Sequence, residues 1–118
     1  MKMIRMYTGS DNTTHFEDVD VQFRDDGVMG ELAELLSGMT GRLYLRKGSA
    51  FMPNFHVSHA RSYMVLQEGG IDMISSNGSK RSISPGDVVL LEDLEGEGHI
   101  FRFNSGSRWA LFFVEIEE

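Results

Sequence analysis

Three segments of this chain read as strands that have no polar face. Tyr63 to Leu66 and Val88 to Leu91 are apolar throughout, and from Arg108 to Ile116 the residues Trp109, Leu111 and Phe113 oppose Ala110, Phe112, Val114 and Ile116. An antiparallel strand normally wets one face, so strands apolar on both need cover on both. A barrel or sandwich interior covers one side. A second sheet, an N-terminal segment or a partner subunit must cover the other, so the expected architecture is an all-β closed sandwich or barrel that forms a homodimer.

The rest of the chain agrees. Residues 3 to 8 and 15 to 23 read as two strands split by the polar turn Gly9-Ser10-Asp11-Asn12, with period-two alternation from Val19 onward. Leu43 to Arg46 and Ala50 to His56 are further strands, as are Ile71 to Ile74, Lys80 to Ile83 and His99 to Phe103. Asn77-Gly78 between two of them predicts a two-residue type I′ hairpin. One helical candidate interrupts the pattern, Glu31 to Ser37, with Leu32, Leu35 and Leu36 on one side and Gly38 as a stop. It is short enough to reduce to a single turn or a loop. At most one or two short helical turns are expected.

At 118 residues the chain is read as one domain, 1–118, long enough to bury a core without covalent staples. It has no cysteine, which excludes disulfides and thiolate metal sites. Its net charge of −7 repels phosphate backbones and anionic membranes, so neither nucleic acid nor a membrane is an expected partner. No apolar run approaches the ~20 residues that span a bilayer. The N-terminal MKMIRMYTGS lacks the apolar core of a secretory signal, and the expected compartment is the cytoplasm. The eight methionines read as adaptable core filler.

Chemistry concentrates in Pro85 to His99, PGDVVLLEDLEGEGH. A Pro-Gly-Asp turn launches a buried strand that ends at Glu92 and Asp93, and a loop broken by Gly96 and Gly98 delivers His99. A carboxylate closing a buried strand, with an imidazole six residues on, is a way to build a polar site inside a small barrel. On alternation, His56, Ser58 and Ser62 share a face continued by Met64 and Leu66, and His99 heads an aromatic row with Phe101 and Phe103. The expected cavity holds His56, Asp93 and His99 as chemical groups, with Ser58, Ser62, Met64 and Phe101 as ligand-binding wall. Each has a plainer reading: Asp93 as an Asx cap of its loop, His99 as a structural histidine bonded to a carbonyl, His15 as a turn histidine. Glu92, Glu95 and Glu97 read as a solvated rim, and Tyr63 and Trp109 as core or interface aromatics.

Residues 56 to 99 resemble the small single-domain cupins, from HVSHARSYMVLQEGG through the Asn77-Gly78 hairpin to SPGDVVLLEDLEGEGH. The likeness extends to a branch with a histidine-bearing motif near the N-terminus, here Thr14-His15-Phe16-Glu17-Asp18, and a Gly-x-Gly-His, here Gly96 to His99. The resemblance implies a jelly-roll barrel binding a small molecule, and says little about which, because cupins include enzymes and non-catalytic binders alike. The metal-binding pattern of that family is degenerate here. Its four ligand positions are occupied by His56, Ser58, Ser62 and Val89, and His59 is out of step by one residue. Serine and valine cannot hold a divalent metal as imidazole and carboxylate do.

Three functions follow. The first is a metal-independent acid–base enzyme, resembling the cupin epimerases, isomerases and dehydratases, acting on a small polar substrate. His56 or His99 would be the base and Asp93 would hold an imidazole in the useful tautomer. The second is a rearranged metal site of His56 and His99 with Asp93 or His15, for iron, manganese, nickel or zinc. The third is a non-catalytic ligand-binding module. The first and third need no cofactor.

Overall fold

The computed structural model describes residues 2–33, 35, 41–48, 52–103 and 108–117. Within them the chain is all β, with eleven strands and one 3₁₀ turn. The strands are β1 (Lys2–Thr8), β2 (Thr14–Asp20), β3 (Arg24–Asp25), β4 (Glu31–Leu32), β5 (Gly41–Gly48), β6 (Ser62–Glu68), β7 (Ile71–Ser75), β8 (Lys80–Ile83), β9 (Val88–Glu92), β10 (His99–Phe103) and β11 (Trp109–Ile116). No described helix is long and apolar enough to cross a membrane.

A six-stranded sheet, ordered β2-β1-β9-β6-β11-β5, lies against a three-stranded sheet, β10-β7-β8. The large sheet is mixed: β1 runs parallel to β9, and its other pairs are antiparallel. Between the sheets sits a core of Met6, Met64, Leu66, Val89, Leu91 and Leu111 from one and Ile71, Met73 and Ile83 from the other. Alternation explains the membership. On β6, Ser62, Met64 and Leu66 are buried while Tyr63 and Val65 face outward and are half-buried. The methionines serve as filler, Met6, Met64 and Met73 each being fully enclosed.

The outer face of the large sheet is apolar too, as two-sided strands require. Register sets Leu90, Tyr63, Val114 and Leu43 side by side, with Val88, Val65, Phe112 and Leu45 in the next row. Leu43 and Leu45, on the edge strand β5, are 65% and 70% exposed. Glu92 also lies on this side, but it is no free rim carboxylate. Arg5 Nε meets one of its oxygens at 2.5 Å and Arg61 Nε the other at 2.6 Å.

Two local expectations are corrected. The segment expected as a helix begins as strand: Glu31 and Leu32 pair with Asp25 and Arg24, and the helical turn comes earlier, at Gly27–Met29. Backbone pairing across that turn, with Asp26 N–H donating to the Gly30 carbonyl at 2.8 Å, outcompetes a helix too short to stand alone. Residues 34 and 36–40 of that segment lie outside the described residues, as do residues 50 and 51 of the expected 50–56 strand. The described part of the latter is irregular, and only His56 forms a β-bridge, to His99.

The second correction concerns Asn77-Gly78. Gly78 has φ of 91°, but Asn77 is not in the positive region, where Asn12 is the sole described non-glycine. Gly78 N–H donates to the Ser75 carbonyl at 3.0 Å and Ser75 N–H to the Ser79 carbonyl at 2.9 Å. That is a three-residue loop ending in a left-handed glycine, not a type I′ turn. The β1–β2 hairpin repeats the pattern, with Gly9 N–H on the Thr13 carbonyl and Asn12 N–H on the Gly9 carbonyl. Asn77 ties the two hairpins together by donating to Thr13 Oγ1 at 3.0 Å and the Thr14 carbonyl at 3.3 Å.

Candidate functional site

At one end of the sandwich β9 ends in Glu92, and the following residue, Asp93, turns inward and is fully buried. Its carboxylate gathers three donors from distant parts of the chain. Thr14 Oγ1 reaches Oδ2 at 2.9 Å, Ser58 Oγ reaches Oδ1 at 2.7 Å, and His99 Nδ1 lies 2.5 Å from Oδ2. Asp93 does not cap its own loop; its backbone carbonyl instead receives the Ser58 N–H at 3.1 Å. A buried carboxylate held by three donors is a rigid anchor.

The anchored imidazole is what reaches the ligand space. An ionised Asp93 can only accept, and opposite it a neutral His99 carries its proton on Nδ1 and its lone pair on Nε2. No described residue bonds to Nε2. His56 has the same arrangement on a different acceptor, its Nδ1 lying 2.9 Å from the Asn54 carbonyl. The two backbones form a bridge, with His56 N–H on the His99 carbonyl at 3.0 Å and the reverse bond at 2.8 Å. Their rings are 4.8 Å apart, centre to centre, tilted by 57°. Phe101 stacks on His99 at 4.7 Å.

This approach depends on Gly98. A Cβ built there would lie 2.2 Å from the His56 carbonyl oxygen, and the backbone has φ of 80°. A side chain would therefore be strained and would also collide with the bridge that sets one imidazole against the other.

Both rings line a cavity of about 700 Å³ between β10 and the inner face of β11 and β5. Its walls are largely aromatic. Phe103 stacks on Trp109 at 4.9 Å and Tyr44 on Phe113 at 5.0 Å. Ser58 and Ser62 also line it, the Ser62 hydroxyl donating to the Ala60 carbonyl at 3.0 Å. Arg46 and His59 complete its polar complement. The volume and the mostly apolar lining with few placed polar groups match a small-molecule site.

Of the residues singled out in the sequence, His56, His99, Ser58, Ser62 and Phe101 are on this wall. Two are not. Asp93 stands behind His99 and reaches the cavity only through that ring, so it is a positioning group and not a contact for ligand. Met64 is enclosed in the core, where β6 passes between Val89 and Phe113. His15 is also remote: it bonds Asp11 at 2.9 Å and stacks on Tyr7. In that N-terminal motif it is the neighbouring Thr14 that turns inward, because successive strand residues face opposite ways.

The sequence reading missed Thr14, Tyr44 and Arg46, and took Trp109 for core or interface. Nothing local marks them, since each acquires its place through pairing with strands far along the chain.

Among the described residues no group of three or more His, Asp or Glu side chains is arranged to hold a metal ion. Val89 is fully buried in the core, and the Asp93 oxygens are committed to Thr14, Ser58 and His99. No protein-family model matches the chain, and a search of curated proteins finds no match.

Proposed function

We propose that this chain is a cupin-like, small-molecule-binding protein that catalyses metal-independent proton transfer beside a carbonyl group. The observation that carries the proposal is the Asp93–His99 pair: a solvent-excluded carboxylate, held by Thr14 and Ser58, aligns an imidazole that lines the cavity. His99 Nε2 is the base. It takes a proton from the carbon next to the carbonyl, and the C–H electron pair moves into the carbonyl to give an enolate. Asp93 holds the tautomer and offsets the charge that develops on the ring.

The neighbouring imidazole narrows the reaction type. His56 and His99 come from bridged residues on one wall, so both address the same side of a ligand. Epimerisation by two bases needs them on opposite sides. A same-side pair suits isomerisation, with the proton returned to an adjacent atom, or elimination, in which protonated His56 gives its proton to a leaving hydroxyl and water departs. We infer also that a second copy covers the apolar outer face, where Leu43 and Leu45 are exposed.

The test is exchange in deuterated water. Small oxo and hydroxy acids incubated with the protein should gain deuterium next to the carbonyl by NMR, and His99→Gln should abolish it. Ligands that bind in the cavity yet never exchange would leave a non-catalytic binding module instead.

A further inference from the structure

We propose that Arg46 is the anion-recognition residue of this cavity, and that the ligand is an elongated, aryl-bodied monocarboxylate. The inference rests on the cavity being the ligand site, as proposed above, and adds the class of molecule it takes.

Among the arginines on the large sheet or beside it, Arg5, Arg42 and Arg61 are matched. Arg5 and Arg61 hold Glu92, Arg5 also holds Glu17, and Arg42 lies 3.5 Å from Glu115. Arg46 also lines the cavity and has no carboxylate partner among the described residues. Its guanidinium sits 5.7 Å from the centre of the Tyr44 ring, an arrangement that steadies the side chain without using its forked donors. A guanidinium at an apolar cavity presents the geometry that pairs two-pronged with a carboxylate.

Register sets the two ends of the cavity apart along the backbone. Arg46 pairs with Leu111, which pairs with Leu66, whereas the histidine end is marked by Ser62 opposite Leu91. Ser62 and Leu66 are four residues apart on β6, which is roughly 13 Å along a strand. Between the two ends lies the stacked pair Tyr44–Phe113, with Phe103–Trp109 just beyond Arg46, where Trp109 pairs with Gly48. This backbone offset and the aromatic wall favour an extended ligand with a flat apolar middle for one that meets Arg46 and also reaches His56 and His99. On this reading the acid taken by the cavity carries an apolar body as well as its polar groups.

The chain has a single tryptophan, Trp109, on the cavity wall, so its fluorescence reports occupancy directly. The probes are 4-phenylbutanoate, 4-phenylbutanamide, 4-phenylbutan-1-ol and butanoate, titrated against the full chain and against Arg46→Met and Arg46→Lys. Phenylbutanoate should bind about tenfold or more tighter than its amide, the step a charged hydrogen bond contributes. Arg46→Met should lower it to the level of the amide while leaving the amide and alcohol unchanged, Arg46→Lys should keep part of the preference, and butanoate should bind weakly. Equal binding of acid and amide, or a preference that survives Arg46→Met, overturns the role of Arg46 while the alcohol still reports a working cavity. If no probe perturbs Trp109, the cavity reading falls together with it.

Discussion

Asp93 and His99 are joined, Oδ2 to Nδ1, across 2.5 Å, and both side chains are withdrawn from water. The pair is a structural joint as much as a chemical one, because the same carboxylate also ties β2 through Thr14 and the segment before β6 through Ser58.

Removing that carboxylate should therefore cost folding stability. Asp93→Ala leaves two buried donors, Thr14 and His99, and the half-buried Ser58 hydroxyl without an acceptor and should destabilise by roughly 3–5 kcal/mol, the range for breaking a buried pair. His56→Gln, at a partly exposed ring bonded to one carbonyl, should cost about 1 kcal/mol or less. Urea denaturation of the two variants side by side checks the ordering.

Two glycines with similar backbone angles should respond unequally. Gly78 has open space where a Cβ would go, so Gly78→Ala should cost only the left-handed backbone penalty of about 1–2 kcal/mol, and Gly78→Val at least that. Gly98→Ala meets the His56 carbonyl as well and should cost roughly another 1–3 kcal/mol. The same variant should alter the NMR shifts of both cavity histidines, which Gly78→Ala leaves in place.

Stability should fall on the acid side. Hydrogen bonds from His15 and then Thr13 hold the Asp11 carboxyl down at about 2, from an ordinary 3.8. For Glu92, partial burial pushes upward, but the hydrogen bonds from Arg5 and Arg61 outweigh it and leave the group below its ordinary 4.5. A carboxyl lowered on folding contributes stability that is present above its unfolded value and lost as pH falls through its folded value. Urea midpoints should thus drop from just above 4.5 downward, and Asp11→Asn should flatten the part of the curve between 3.8 and about 2. A midpoint independent of pH over that window would contradict the pairing.

The outer face predicts association. A charge at Leu45, as in Leu45→Lys, or at Phe112, as in Phe112→Asp, should convert a dimer to monomer or aggregate in light scattering. The parent protein should be dimeric at the same concentration, and a parent that stays monomeric throughout would count against the interface.

Much of this fold was legible from local chemistry. Period-two alternation and apolar runs mark β6, β9, β10 and β11 to within one or two residues, because a strand's exposure pattern is written in neighbouring side chains. The histidine ending the Gly96–Gly98 loop was legible for the same reason. Pairing and competition were not. Leu32, Leu35 and Leu36 suggest a helix, yet Glu31 and Leu32 join a strand pair because a partner at Arg24–Asp25 satisfies their backbone. Asn77-Gly78 signals a turn, but its type follows from Asn77 bridging to Thr13 and Thr14, more than sixty residues away.

The site divides along the same line. His56, Ser58, Ser62, His99 and Phe101 could be nominated from sequence because each sits at a readable strand or loop position. That Asp93 lies behind the imidazole, that Thr14 and not His15 turns inward, and that Arg46 reaches the cavity were decided only by the tertiary structure. These relations join residues tens of positions apart, and register between strands, which no single segment encodes, is what brings them within hydrogen-bond distance.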